Sequence, residues 1–287
     1  MEGIYAFLNS KSFHNIPRQT PKDITPYYKD GSLWKRLNGS DGYSLYEDIY
    51  VGDYFQMSRT VSAKSSDPSQ QTTGTNYVTI ASIGGLASNG DNKRLSPNHL
   101  VMVPGKGFEG AQHFGKSRMN PTDTTVGGYK ESEMNTKIIG AVATNGSTEA
   151  DATINQQLYA EFGTHLKTTR ELVTNKINAT AMNKNGTATG CTNGREWIDA
   201  QAILMSEIEV YGSTVWSSSG YDTGNANHQF ELFANSASAI NNGSAWYWLK
   251  DVTSALEFGY CEGSGGSYRY AAAYPSGYIR TRFVIAA

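Results

Sequence analysis

The chain has 287 residues, 17% of them charged, and its formal net charge at pH 7 is −2. This length allows one large domain or two small ones with a sizeable core. A net charge near zero argues against nucleic-acid binding, and no apolar stretch approaches the ~20 residues that a membrane-spanning helix needs. The first fifteen residues lack the features of a signal peptide. We therefore expect a soluble protein that is neither inserted in a membrane nor exported by the usual route.

The first half of the chain predicts short strands between irregular segments. Pro17, Pro21 and Pro26 exclude a long helix before residue 45. Alternating or continuous apolar residues then predict strands, which lie at 49–57, 77–86 and 99–103. A long irregular stretch follows, from Pro104 to about Gly146.

The second half predicts helices first and strands last. Ile154, Leu158 and Phe162 recur at four-residue spacing, and Gly163 suits a helix end, so residues 148–163 favour a helix. The elements predicted after it are a second helix over 164–177, a segment over 195–212 that begins as a helix and ends as a strand, a short helix over 227–237, and strands at 246–252, 256–262 and 278–286.

One enzymatic motif is matched in full, by GAQHFGKS at Gly110–Ser117. In a nucleotide-binding loop, Lys116 would reach the phosphates and Ser117 would hold Mg²⁺. Such a loop needs a helix immediately after it, so that the helix N-terminus faces the phosphates. Pro121 and the Gly127–Gly128 pair prevent that helix, which favours a chance match in a Gly-rich loop.

The histidines and cysteines predict no catalytic or metal site. The five histidines are scattered and lack the spacing of zinc ligands, and His165 is expected to be a hydrogen-bonded structural residue. Cys191 and Cys261 are too far apart in sequence to form a ligand pair. Free buried thiols are favoured for them, and a disulfide between them is the alternative.

The acidic and basic residues also predict structure rather than chemistry. Arg170 and Glu171 are adjacent on a predicted helix, and each is expected to form a structural ion pair. Glu207 and Glu209 alternate along a predicted strand and are expected to face solvent. No set of residues forms a catalytic constellation, so we expect no enzymatic activity and no cofactor or metal.

Residues 259–278 differ in composition from the rest of the chain. This run, GYCEGSGGSYRYAAAYPSGY, holds five Tyr, five Gly and three Ser. Tyr offers a large amphipathic contact area while freezing only two side-chain torsions, and Ser and Gly add adaptable hydrogen bonding, as in antibody combining sites. The run therefore predicts a binding surface. The segments 246–252 and 278–286 are expected to be paired scaffold strands, with Trp246, Trp248 and Phe283 in the core.

The C-terminal pattern also resembles a known family. W-x-W-L-[RK]-[DS], then about thirty residues of Gly, Ser and Tyr, then [VI]-R-x-[RA]-F-x-[IL], is similar to the end of a family of phage proteins with a C-type-lectin-like fold. That fold is related to the fold of formylglycine-generating enzymes, and many members are variable proteins of diversity-generating retroelements. Further segments fit the same family, and they lie at 47–55, 99–104, 119–134 and 204–213.

The resemblance implies an α+β fold with short antiparallel strands, two or more helices and long irregular loops. It covers roughly residues 45–287, so residues 46–287 would be the ligand-binding domain and residues 1–45 an attachment or oligomerisation segment. The triplets E-P-N, Q-P-D and W-N-D, which chelate calcium and sugar in C-type lectins, are missing. The fold is thus expected without that activity.

In such retroelements a reverse transcriptase copies a template with substitutions at adenines, and the product replaces the 3′ end of the gene. Asn codons AAY are the preferred targets, and changes at their first two bases reach every residue type in 259–278 except Glu262. The chain has 21 Asn before Gly243 and none from Gly243 to Ala287. The resemblance thus implies a variable region over about 246–283.

The function implied is that of a phage tail receptor-binding protein, made in the bacterial cytoplasm and located at the tail tip of the virion. Its partners would be a bacterial cell-surface receptor (protein or glycan) and phage tail proteins, and it would form a homotrimer. Two alternatives stay open: a fixed-specificity bacterial lectin-like binding module, and a nucleotide-binding enzyme using residues 110–117. The residues expected to face the ligand are Tyr260, Glu262, Ser264, Ser267, Tyr268, Arg269, Tyr270, Tyr274 and Tyr278.

Overall fold

The structure is a computed structural model that describes residues 11–91, 95–177, 192–217, 228–241, 243 and 245–287. It mixes helices and strands around an antiparallel sheet that curls into a half-barrel. The expected combination of short antiparallel strands with several helices is confirmed at this level.

The strands form three antiparallel sheets within the described residues. In chain order they are β1 (Tyr54–Val61), β2 (Thr75–Ile83), β3 (Leu100–Pro104), β4 (Leu166–Lys167), β5 (Thr169–Ile177), β6 (Thr192–Ala200), β7 (Ile203–Leu204), β8 (Tyr247–Val252), β9 (Glu257–Cys261), β10 (Ser267–Ala271) and β11 (Thr281–Ile285). The largest sheet has the order β1-β2-β3-β11-β4, with β7 also paired to β11. A second sheet has the order β10-β9-β8, and β5 pairs with β6 alone.

The helices are short and flank these sheets. In chain order, those in the described residues are α1 (Lys11–His14), α2 (Thr25–Lys29), α3 (Ser32–Asn38), a 3-10 helix (Pro68–Gln70), α4 (Gly128–Glu131), a π-helix (Met134–Ile139), α5 (Ile154–Phe162), a second 3-10 helix (Gly163–His165), α6 (Glu207–Tyr211), α7 (Glu231–Asn235) and α8 (Ala237–Ile240). The helix predicted over 148–163 is α5. Thr153 and Gln156 fix its start as a capping box, each side chain bonding the other's backbone N–H.

The core lies against β3 and β11, whose residues are all buried. Strands covered on both faces read as continuous apolar runs, which is why LVMVP at 100–104 was recognisable from the sequence. Ile24, Leu33 and Leu37 have no exposed surface and belong to the same core. The described residues before position 45 are therefore part of the folded body, and their role in attachment or oligomerisation stays a prediction.

Two predicted elements between residues 164 and 212 are wrong. After a single 3-10 turn at Gly163–His165, residues 166–177 form β4 and β5 instead of a helix. The order of elements in 195–212 is reversed, with strand β6 before helix α6. Pairing explains the first error, because β5 and β6 satisfy each other's backbone groups as antiparallel neighbours. Capping explains the second: Ser206 accepts the N–H of Glu209, and the Glu209 carboxylate accepts the N–H of Ser206.

The expected pairing of the two C-terminal scaffold strands is also wrong. Strand β8 belongs to the three-stranded sheet, whereas β11 lies inside the largest sheet. The two segments meet at one parallel bridge, between Tyr247 and Tyr278, where the N–H of Trp248 donates to the carbonyl of Tyr278 at 3.0 Å. The tyrosine-rich run is not a loop between paired strands, because it supplies β10 and most of β9.

A buried charge cluster joins the largest sheet to β5 and α6. The Arg282 side chain is fully buried, and it donates from Nη2 to Glu171 Oε2 at 2.6 Å and from Nε to Glu209 Oε1 at 3.0 Å. Lys250 Nζ lies 4.0 Å from Glu171 Oε2. Glu171 thus forms the expected ion pair, although it lies on a strand and not on a helix. The expectation that Glu209 faces solvent is wrong, because α6 directs its side chain towards Arg282.

Arg170, on the same strand as Glu171, also forms ion pairs. Its Nε lies 2.9 Å from Asp91 Oδ1, and its Nη1 lies 3.1 Å from Asp199 Oδ1. Adjacent residues of a strand point to opposite faces, so Arg170 and Glu171 serve different clusters. Arg170 and Glu171 both form the structural ion pairs predicted for them, although they lie on a strand and not on a helix.

Glu171→Gln is expected to destabilise the protein by about 3 kcal/mol near neutral pH, because it leaves buried cations without their carboxylate. Burial alone would raise the pKa of Glu171, but Arg282 and Lys250 lower it from 4.5 to about 2. The stability that ionised Glu171 contributes is therefore fully present above about pH 4.5 and is lost as the pH falls towards about 2.

Urea unfolding at pH 6 and at pH 3 tests this expectation. The stability difference between wild type and Glu171→Gln should be smaller at pH 3. The matched control is Glu262→Gln, which changes a partly exposed carboxylate and should alter stability little at either pH. A difference that stays constant between the two pH values would contradict the coupling.

Candidate functional site

The three-stranded sheet gathers aromatic side chains on one face. Tyr260 on β9 pairs with Tyr268 on β10 and with Trp248 on β8. Side chains alternate along a strand, so Tyr270 faces the same way as Tyr268, and Trp246 the same way as Trp248. We call the exposed part of this face the aromatic surface, and its members are Trp246, Tyr260, Tyr268, Tyr270 and Tyr274.

These rings are in mutual contact. Trp246 lies at the centre, with its ring centroid 4.8 Å from that of Tyr260 and 5.7 Å from that of Tyr274. Tyr270 and Tyr274 pack edge to face at 4.4 Å, and Tyr260 and Tyr268 do so at 5.9 Å. Aromatic pairs prefer this geometry, so the rings support one another before any ligand arrives.

The aromatic surface is open to solvent. Tyr268, Tyr270 and Tyr274 are 47%, 39% and 37% exposed, respectively, and are among the few large apolar side chains exposed to this degree. Tyr260 is half-buried, and burial together with the nearby Glu262 raises the pKa of its phenol to about 12. That hydroxyl is therefore neutral at physiological pH and can both donate and accept a hydrogen bond.

Trp246 was expected in the core, and the structure places it in the aromatic surface instead. Trp248 and Phe283 are fully buried as predicted, whereas Trp246 is half-buried. The difference comes from what covers each indole. Trp248 Nε1 donates to the Ser117 carbonyl at 2.9 Å, and a Cβ on Gly277 would lie 2.0 Å from that nitrogen. The chain thus closes over Trp248 and leaves Trp246 open.

Two residues expected to face the ligand point to the opposite face of β10. Ser267 Oγ donates to Glu207 Oε1 at 2.9 Å. Arg269 lies 3.7 Å from Glu257 through Nε, and its guanidinium carbon is 4.9 Å from the Trp216 ring centroid. These contacts support the strand, so neither residue joins the tyrosines in one surface.

The other predicted ligand residues lie at the margins. Ser264 Oγ donates to Glu262 Oε2 at 3.2 Å in the turn between β9 and β10. Tyr278 lies apart from the aromatic surface, with its ring centroid 4.1 Å from that of His113. Cys261 is a buried free thiol whose pKa is raised by burial. The predicted alternative, its disulfide with Cys191, cannot be compared with geometry because Cys191 lies outside the described residues.

A segment that the sequence did not single out extends the aromatic surface. Trp216 packs edge to face on Tyr268, with ring centroids 5.4 Å apart, and its Nε1 donates to the Ser267 carbonyl at 3.0 Å. β10 is an edge strand, and Trp216 covers part of its free edge. No periodicity in the sequence indicates this contact, because it joins residues about fifty positions apart.

Glu207 holds this segment in place. It was expected to face solvent, but it is fully buried. Its Oε2 accepts the N–H groups of Val215 at 2.9 Å and Ser217 at 3.1 Å, and its Oε1 accepts the N–H of Trp216 at 3.0 Å. With the bond from Ser267 added, one carboxylate ties α6, residues 215–217 and β10 together.

The nucleotide-binding motif does not have the geometry its chemistry requires. Ser117 is fully buried, and its Oγ donates to Ser66 Oγ at 2.8 Å. Residues 118–127 form no helix, and the next helix begins at Gly128. The Lys116 ammonium lies over the ring of Tyr278, 4.4 Å from its centroid. The loop therefore presents no helix N-terminus to a phosphate.

The described residues also bear on metal binding and on membrane insertion. Within the ranges described above, no three His, Cys, Asp or Glu residues are grouped so that they could hold a metal ion. No helix in that same part of the chain is both long enough and apolar enough to span a bilayer.

Comparison with known proteins gives no relative. No family model matches the chain, and neither the curated proteins nor the solved structures contain a significant match.

Glu207→Gln is expected to loosen residues 215–217, because an amide offers one acceptor oxygen where the carboxylate offers two to several N–H and O–H donors. The readout is hydrogen exchange at the Trp216 indole N–H, assigned in the NMR spectrum by its absence in Trp216→Phe. Exchange should accelerate in Glu207→Gln while the Trp248 indole, bonded to Ser117, stays protected. Unchanged exchange at Trp216 would show that the carboxylate does not hold the segment.

Proposed function

We propose that the protein is a non-covalent receptor-binding protein and that the aromatic surface contacts the receptor. The observation that carries this is the shared, partly exposed patch formed by five mutually packed rings on one face of the three-stranded sheet. Exposed aromatic patches of this kind mark interaction sites, and Tyr and Trp are the residues most often responsible for interface energy.

The packing of the rings and the bonding of the strand beneath them are suited to receptor binding. Tyr side chains that are already packed against one another lose little freedom on binding, so more of the contact energy remains for affinity. The opposite face of β10 is bonded to Glu207 and Glu257, and its edge is covered by Trp216. A ligand thus meets a pre-organised surface on a fixed strand.

The same geometry separates exchangeable positions from fixed ones. Tyr268, Tyr270 and Tyr274 are each more than one third exposed, so other side chains could replace them without filling the core. Ala272 is fully buried, and a Cβ on Gly277 would collide with Trp248. This division supports the proposal that the run 259–278 belongs to a variable protein of a diversity-generating retroelement, with diversity confined to the outward positions.

The wider proposal is a phage tail adhesin with a C-type-lectin-like fold that recognises a bacterial surface receptor. Its support is the family resemblance of the C-terminal pattern and the absence of Asn from Gly243 onwards in a chain with 21 Asn before that residue. Assembly as a homotrimer, and attachment to tail proteins through residues 1–45, are parts of the proposal that depend on the resemblance alone.

Replacing Tyr268, Tyr270 and Tyr274 together by Ala is expected to abolish adhesion while leaving the fold intact, because the three rings contribute mostly exposed contact area. Fluorescently labelled protein is screened against a panel of bacterial strains by flow cytometry, and the triple variant is compared on every strain that binds the wild type. We expect at least a hundredfold loss of apparent affinity, on the order of the 2–4 kcal/mol of interface hot spots.

The matched control is Tyr54→Ala with Tyr77→Ala, which removes two contacting tyrosines from β1 and β2. This control should bind cells as the wild type does, and thermal unfolding of all variants reports on folding. Retained adhesion in the triple variant, or loss of its fold, would contradict the proposal.

The DNA beside the gene tests the retroelement. We expect a near-copy of the codons for about residues 246–283, with AAY at positions 260, 268, 270 and 274, close to a reverse-transcriptase gene. Sequencing of the flanking DNA is the measurement. A flank without such a copy would favour the second candidate, a fixed-specificity binding module that uses the same aromatic surface.

A further inference from the structure

A polar cleft lies at the far side of β8 from the aromatic surface. Its volume is about 410 Å³, within the range of small-molecule sites. It is lined by residues 73–75, residues 111–113, Ala245 and Tyr278. Tyr278 pairs with Tyr247, whose side chain points away from the face that carries Trp246, so the Tyr278 side chain is directed away from the aromatic surface.

The walls of the cleft are fixed by the fold. The N–H of Gly74 donates to Ser62 Oγ at 2.8 Å, and a Cβ at Gly74 would lie 1.8 Å from the Val61 carbonyl oxygen. On the other wall, the N–H of Phe114 donates to the carbonyl of Ile279 at 2.8 Å. The cleft is therefore formed in advance of any ligand.

The side-chain amide of Gln112 is a hydrogen-bond donor with a defined orientation in the cleft. Thr75 Oγ1 accepts the N–H of Tyr77 at 3.1 Å, so its own hydrogen is donated to Gln112 Oε1 at 2.5 Å. With the Gln112 amide oxygen turned towards Thr75, its Nε2 is the other end of the amide. That nitrogen makes no hydrogen bond to any residue that the structure describes, so its two hydrogens are available to a ligand.

Tyr278 supplies a second such group. Its ring is held between the His113 ring, at 4.1 Å, and the Lys116 ammonium, at 4.4 Å. Its hydroxyl has no hydrogen-bond partner in the described part of the chain. Burial, with a contribution from Lys116, lowers the pKa of His113 to about 4, so the imidazole is neutral at physiological pH.

We propose that this cleft binds a neutral saccharide unit. None of its lining residues carries a formal charge at neutral pH, and the neighbouring Lys116 ammonium is engaged with the ring of Tyr278. The lining combines threonine hydroxyls, an oriented amide and a phenol, which match the alternating donors and acceptors of sugar hydroxyls. The site is separate from the aromatic surface, so it does not depend on the function proposed for that surface.

Saturation-transfer NMR on the full chain tests the proposal. The probes are the methyl pyranosides of glucose, galactose, mannose and N-acetylglucosamine, with glucuronate and glucose 6-phosphate as charged comparisons. We expect at least one neutral pyranoside to receive saturation and the charged probes to receive none. Gln112→Glu keeps an acceptor for the Thr75 hydroxyl but removes the Nε2 donors, and it should weaken binding about three- to tenfold.

The triple Tyr268, Tyr270 and Tyr274 variant separates this site from the aromatic surface. Saccharide binding should be unchanged in that variant, even where cell adhesion is lost. The proposal is overturned if no neutral pyranoside binds, if a charged probe binds in preference, or if binding is lost in the tyrosine variant and kept in Gln112→Glu. Thermal unfolding of Gln112→Glu confirms that its fold is retained.

Discussion

The pairing of Arg282 with two buried carboxylates is the interaction on which the rest of the structure depends. A buried guanidinium without a partner would be strongly destabilising, so Glu171 and Glu209 must approach β11 for the core to close. Glu209 lies on α6, and the same short helix carries Glu207. The charge cluster in the core therefore sets the position of the carboxylate that holds Trp216 and β10. The buried ion pairs thus help to fix β10, which carries part of the aromatic surface.

The exposed tyrosines and the residues that bond the frame lie on opposite faces of the same strand. On β10, Tyr268 and Tyr270 point outwards, while Ser267 and Arg269 bond the frame. The outward residues can change with little effect on the core, because they are exposed and contact mainly one another. The inward residues cannot change so freely, because Ser267 bonds the buried Glu207 and Arg269 lies against Glu257. Such a division suits a protein whose ligand varies while its fold does not.

The aromatic surface and the polar cleft differ in the ligands they favour. The first offers large, partly apolar rings, which gain most of their contact energy by displacing water from broad surfaces. The second offers oriented hydrogen-bonding groups in a fixed concave space, which select for the arrangement of polar atoms. Neither carries a dense charge, in keeping with the net charge of −2 for the whole chain. The two features therefore suit ligands of different chemistry.

The sequence by itself determined the elements whose signals are local. These include α5 with Gly163 at its end, the apolar strand β3 and the strand regions near the C-terminus. Tertiary contacts determined the features that local sequence patterns cannot predict. Pairing made residues 169–177 a strand, and the cover at Gly277 buried Trp248 while leaving Trp246 open. Contacts between distant segments, and not periodicity, also determined that Glu207 and Glu209 are buried, because the backbone donors and the cation they satisfy lie elsewhere in the chain.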